Sequence, residues 1–264
     1  MIKNYKIQKG GISMAKVGFL GCGKIGQSMV EHIKKKETHQ ITFIQDPFFK
    51  CEGELKEKII VQGLDSFYEG TDLIIEAATA DVLKENIELI LKHSNLLVLS
   101  VTAFSDDDFT DKVKKLCSKY GRHIYFPHGA ILGMDGLFDA RSIVNSVTIE
   151  TVKNPKSLGR EDTERTVVYE GTTREACKLY PRNVNVHAIV ALSGIGFDKT
   201  HSRIVSDPAV TTNTHNICIK GEGISFTLNI SSFSTGGVTG IYTPISACGS
   251  LDRILGGDEY YTFV

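Results

Sequence analysis

Gly21-Cys22-Gly23-Lys24-Ile25-Gly26 sets three glycines at the G-x-G-x-x-G spacing, between an apolar run and an amphipathic stretch. That spacing suits the pyrophosphate of a dinucleotide. Gly21 permits a tight turn, Gly23 lets backbone approach the phosphates, and Gly26 lets a helix pack closely on a strand. The backbone of Cys22, Lys24 and Ile25 then offers N–H groups at the positive end of a helix dipole. Asp46 follows 20 residues after Gly26, at the end of the next apolar run. A carboxylate there accepts hydrogen bonds from ribose hydroxyls and repels a 2′-phosphate, which favours NAD. Lys24 and Lys50 could accept that phosphate, so NADP stays open. Ala77-Ala78-Thr79 closes another apolar run, and Ala78 leaves room for a nicotinamide ribose or simply packs tightly.

Histidine is the other residue type that could do chemistry. Of eight, His32, His39 and His93 fall at helix ends or turns and read as surface, and His201 alternates with Arg203 on a solvated strand face. His128, His187 and His215 remain. His215, between an asparagine-rich turn and the start of a strand, is the best placed to face a cleft as a base. Asp106–Asp108 reads as a helix N-terminus rather than a metal site. No H-E-x-x-H or paired-carboxylate motif is present, and no two of the six cysteines are closer than Cys22 and Cys51, so no local metal clip forms.

The elements that must position these residues divide the chain. In the first half, apolar runs at 16–21, 40–45, 59–61, 72–77, 96–101 and 123–126 alternate with helical periods at 23–36, 81–93 and 106–120. This predicts a doubly wound parallel sheet of the Rossmann type, covered on both faces. From about Ser146 the pattern becomes antiparallel α+β. Strands are expected at 146–152 and 165–169, a helix at 183–192, and a hairpin of 216–220 with 224–230 around Gly221–Gly223. The expected division is a lead-in over 1–14, a dinucleotide-binding domain over 15–135 and an α+β substrate and dimerisation domain over 136–243. Residues 244–264 would return a helix to the first domain.

With 30 Lys and Arg against 31 Asp and Glu, the net charge of −1 gives no field to attract nucleic acid. No apolar run approaches the roughly 18 residues of a membrane helix. The N-terminal lysines are not followed by the apolar stretch of a signal peptide. Scattered cysteines fit a reducing cytoplasm.

Five pieces in order resemble the L-aspartate dehydrogenase family: VGFLGCGKIG at 17–26, LLVLSV at 96–101, HGAILGMDGL at 128–137, NVNV at 183–186, and GIGFDKT, DP and NTHNI between 194 and 217. The resemblance implies a homodimer that oxidises L-aspartate to iminoaspartate, then oxaloacetate and ammonia, in NAD biosynthesis. It implies Ala130 contacting NAD through its amide, Asn185 lining the nicotinamide site and His215 as catalytic histidine. The chain differs from the family at His128, His187 and Asn216, and at 242–246, where Tyr-Thr-Pro-Ile-Ser replaces a segment with a lysine. Lys199, Arg203 and His187 are the candidate carboxylate partners. The alternatives are a related imine or carbonyl oxidoreductase, and a dinucleotide-binding redox sensor without catalysis.

Overall fold

A computed structural model describes residues 14–37, 39–60, 65–233 and 240–256. Its first sheet is built from β1 (Ala15–Leu20), β2 (His39–Gln45), β3 (Ile59–Ile60), β4 (Leu73–Glu76), β5 (Asn95–Val98) and β6 (Ile124–Tyr125). All pairings are parallel, in the order β3-β2-β1-β4-β5-β6. The order reverses beside β1, so the crevice at its carboxyl end is the ligand position of a doubly wound fold. The glycine turn occupies that crevice. Between the strands run α1 (Lys24–Lys36), the single turn α2 (Asp65–Tyr68), α3 (Ala80–His93) and α4 (Asp107–Tyr120).

Local chemistry sets the ends of these helices. Thr79 and Asp106 cap α3 and α4 by accepting the amides of Val82 and Phe109. Lys34, Lys35 and Lys36 sit in the last turn of α1, where the dipole favours cations. Met29 and Ile33 of α1 bury against Val17, Phe19 and Ile75 of the sheet.

A second sheet joins β7 (Val144–Lys153), β8 (Thr166–Thr172), β9 (His201–Ser206), β10 (Thr212–Gly221) and β11 (Ile224–Phe233), in the order β11-β10-β7-β9-β8. The helices α5 (Met134–Ala140), α6 (Thr173–Leu179) and α7 (Asn185–Ser193) belong to this half. Finally α8 (Tyr242–Leu255) packs on α1, placing Ala247, Cys248 and Leu251 in the core of the first sheet. Asp252 of α8 binds both His32 and Lys36 of α1, each at 2.8 Å.

Several expectations need correction. The second sheet is mixed, because β9 lies parallel to β7 after the chain crosses over through β8, α6 and α7. The fifth apolar run stops pairing at Val98: the Leu99 amide still reaches the Glu76 carbonyl (3.1 Å) while sharing its carboxylate (3.3 Å), and the Ser100 amide turns to that carboxylate (2.9 Å). The hairpin is longer than its apolar pattern, pairing Thr212 with Phe233, so His215 lies inside a strand and not at its start. His39 is buried at the start of β2 and is not a surface residue. The last helix begins at Tyr242, with Pro244 tolerated in its first turn. Val61, read as the end of the third run, and the lead-in before Met14 lie outside the described residues.

Candidate active site

The glycine turn is built as its residue types require. Gly21 has φ +85°, and a Cβ there would lie 2.6 Å from the Ala78 nitrogen. A Cβ on Gly23 would meet nothing within 4 Å, so this backbone borders open space. Asp46 accepts the Cys22 amide at 2.6 Å through one carboxylate oxygen and the amides of Phe48 and Phe49 through the other. Burial first, and the Asp46 charge second, push the Cys22 thiol up to about 12, so it is an inert neighbour rather than a nucleophile.

Beyond the turn lies a cavity of about 290 Å³ between the two sheets. Gly23, Lys24, Ile25, Ala78, Ala130, Asn185 and His215 all line it, so residues spread over most of the sequence meet in one place. Gly21, Cys22, Gly26 and Asp46 do not line it. Asn185, the first residue of α7, ties the two halves together by accepting the Thr102 amide at 3.1 Å. The open backbone at Gly23, the carboxylate of Asp46 and the small side chains at Ala77 and Ala78 fit a dinucleotide entering along the crevice.

Beneath Ala78, Glu76 is fully buried at the end of β4. It accepts the amides of Ala78, Leu99 and Ser100 and the Ser100 hydroxyl, at 2.7–3.3 Å. Burial raises its pKa against the opposing pull of those four donors. It ties the end of β4 to the stretch after β5, two segments that line the cavity.

His215 projects from β10 and is 4% exposed. Its Nδ1 lies 2.8 Å from the Thr151 hydroxyl, which lies 2.7 Å from Nε2 of His187. Burial first, then the Lys153 cation, hold the His215 imidazole down to about 3. Burial likewise holds His187 well below the ordinary histidine value, helped by His215 and Lys153. Lys153, the last residue of β7, is 4% exposed and lines the cavity. Burial lowers its ammonium to about 8, and it donates to the Asn183 carbonyl at 3.4 Å. A buried cation beside a buried imidazole is a place for an anionic substrate next to a base.

The sequence reasoning missed Lys153 and Glu76. The three proposed carboxylate partners do not serve. Arg203 points to the opposite face of the sheet and pairs with Glu150 at 2.6 Å. Lys199 is exposed away from the cavity, and His187 lies behind Thr151 rather than in the lining. His128 does line the cavity, with a buried Nδ1 that has no partner among the described residues.

Among the described residues no helix is long and apolar enough to cross a membrane, and no cluster of His, Cys, Asp and Glu could hold a metal ion.

Residues 21–127 match the family model for the homoserine dehydrogenase NAD-binding domain, and residues 135–254 that for the aspartate dehydrogenase C-terminal region. Fold, crevice and cavity define the class: an NAD(P)-dependent oxidoreductase with a Rossmann-type nucleotide half. The chain is 33% identical over 237 residues to the L-aspartate dehydrogenase of Nitrosopumilus maritimus, covering 82% of this chain and 87% of that one. It is 35% identical over 208 residues to the L-aspartate dehydrogenase of Archaeoglobus fulgidus, covering 78% and 82%. The crystal structure of aspartate dehydrogenase from Thermotoga maritima superposes with a TM-score of 0.75 at 29% identity, covering 96% of this chain and all of that one. The chain belongs to the L-aspartate dehydrogenase family and acts on CH–NH2 groups.

Proposed function

We propose that the protein oxidises L-aspartate with NAD or NADP, using His215 as the proton acceptor and Lys153 to hold a substrate carboxylate. The observation that carries this reading is the meeting of His215, Lys153, Asn185 and the glycine turn around one cavity. The nicotinamide, when bound, supplies the acceptor for the hydride leaving the substrate Cα.

His215 takes a proton from the substrate ammonium, freeing the nitrogen lone pair to form the imine. Burial depresses the His215 imidazole most and the Lys153 cation second, and a dicarboxylate drawn to Lys153 offsets the second, shifting the imidazole upward. His215 can then pass its proton on and orient water for hydrolysis of the imine to oxaloacetate and ammonia. Asn185 and the Ala130 amide hold the nicotinamide end. Asp46 takes the adenosine ribose, which favours NAD.

We also read 15–135 as the nucleotide unit and 136–243 as the substrate unit, with α8 returning to the first. From the family we expect a homodimer, which light scattering checks. Six free thiols suit a reducing cytoplasm.

The test is reduction of NAD and NADP by the purified protein with L-aspartate, L-glutamate and L-alanine, beside His215→Ala. The expected result is turnover led by L-aspartate that drops about 100- to 10,000-fold in the variant, with cofactor affinity kept. Full turnover in the variant would remove the base. Turnover with another amino acid and not with L-aspartate would remove the substrate.

A further inference from the structure

Among the described residues, the side chains behind His215 form an unbranched run of hydrogen bonds that ends at a carbonyl. From His215 Nδ1 it passes to Thr151 Oγ1 (2.8 Å) and on to His187 Nε2 (2.7 Å). From His187 Nδ1 it passes to Ser202 Oγ (2.9 Å), then Thr173 Oγ1 (2.7 Å), then the Thr200 carbonyl (3.0 Å). Thr151, His187, Ser202, Thr173 and His215 are 0–4% exposed, so water does not supply alternative partners. Among the described residues neither ring is hydrogen-bonded to a carboxylate, and burial keeps both uncharged.

The direction of every bond follows from the end of the run. A carbonyl can only accept, so the single Thr173 hydroxyl proton goes to Thr200. Thr173 Oγ1 must then accept from Ser202, whose proton is thereby used. His187 Nδ1 therefore carries a proton and donates to Ser202, and because the ring is neutral its Nε2 is a bare lone pair. Thr151 donates to that lone pair, which leaves its oxygen to accept from His215 Nδ1. A neutral His215 with its proton on Nδ1 has a bare Nε2.

We infer that Thr151, His187, Ser202 and Thr173 are positioning residues that lock His215 in the Nδ1–H tautomer, presenting Nε2 as a ready proton acceptor. This rests on the proposed role of His215. A hydroxyl alone could not do it, since Thr151 can donate or accept equally well. The acceptor on His187, fixed from the far end, decides which it does.

The test is long-range proton–nitrogen NMR on the full chain labelled with nitrogen-15 histidine, near neutral pH, with His215→Gln and His187→Gln to assign signals. Both rings are expected in the Nδ1–H tautomer. His187→Leu removes the acceptor, so Thr151 turns to donate to His215 Nδ1 and the ring proton moves to Nε2. Thr151→Val, close in shape, covers the case in which the leucine variant fails to fold. It should abolish the single-tautomer signal and lower kcat about 10- to 100-fold with cofactor affinity unchanged. Thr151→Ser, which keeps the hydroxyl, should restore both signal and rate. An Nε2–H tautomer in the parent protein would overturn the inference. So would Thr151→Val with an unchanged spectrum and kcat. Full turnover in His215→Ala with the Nδ1–H spectrum intact in the parent would remove the base and leave the lock standing, so the two fail separately.

Discussion

The mixed sheet carries a polar cluster on each face, drawn from neighbouring residues of the same strands. On one face Glu150 is in register with both Arg203 and Asn216 and binds them at 2.6 and 3.3 Å. Arg203 also reaches Glu170 at 3.3 Å, and Arg165 reaches Glu150 at 3.7 Å. On the other face Thr151, one position along, is in register with His215 and touches it. The first cluster has both signs of charge and partial access to water. The second has two imidazoles and one ammonium, none hydrogen-bonded to a carboxylate among the described residues. Solvent screens the first, where each exposed pair is worth at most about 1 kcal/mol. Burial moves every titratable group of the second away from its usual range. Reactivity here comes from which face a residue points to, because strand side chains alternate.

Three substitutions sharpen or break that contrast. The largest effect is expected from Lys153→Met. Loss of a buried cation facing a substrate carboxylate should raise KM for L-aspartate about 100-fold, the order of a truncated buried charge pair, with a much smaller change in kcat. The same variant should be the more stable protein. The Lys153 ammonium falls from 10.5 to about 8 on folding. The unfolded chain therefore binds more protons between those values, and the parent's stability rises with pH across that window. The advantage of Lys153→Met should be about 3 kcal/mol below pH 8 and fade toward pH 10.5. Denaturant melts at pH 7 and 10 check it, and an equal difference at both pH values would contradict the buried cation.

Next in size is the acid limb. His215 falls from 6.5 to about 3 on folding, so the unfolded chain takes the proton first and stability is lost as pH drops through that window. The loss is about 1.4 kcal/mol per pH unit. Between pH 6.5 and 5 the parent should lose about 2 kcal/mol more than His215→Gln. Thermal melts of the parent and His215→Gln decide it.

The smallest effect is expected on the solvated face. Arg203→Ala should cost no more than about 1 kcal/mol, less in high salt, and leave kcat and KM within about twofold. A collapse of activity in Arg203→Ala would erase the distinction between the faces.

How much of this was legible in the sequence depends on how local each feature is. The glycine turn was readable because its demands concern residues two and five apart, and the structure places Gly21 and Gly23 as those demands require. The alternation of strand and helix in the first half was readable for the same reason. The strand ending at Val98 was misread because its last amides answer to Glu76, 23 and 24 positions earlier. Lys153 was missed although a signal existed. Val147, Ile149 and Thr151 share its strand parity, and all four are buried, so a lysine in that series had to enter the core. Glu76 gave a similar hint as a carboxylate inside the run Asp72–Ala77, which has no solvated face.

The sequence by itself determined the nucleotide crevice, the alternation that builds the first sheet and, through the family motifs, the class of reaction. It did so because backbone geometry at glycine and the periods of strand and helix act over a few residues. Only the tertiary structure decided what stands around His215. Thr151 lies 36 positions from His187 and 64 from His215. Their contacts exist because β10 pairs with β7 while α7 packs on the same face. The environment that moves the pKa of each group, and the order of donors and acceptors behind His215, come from that packing and from no short stretch of chain.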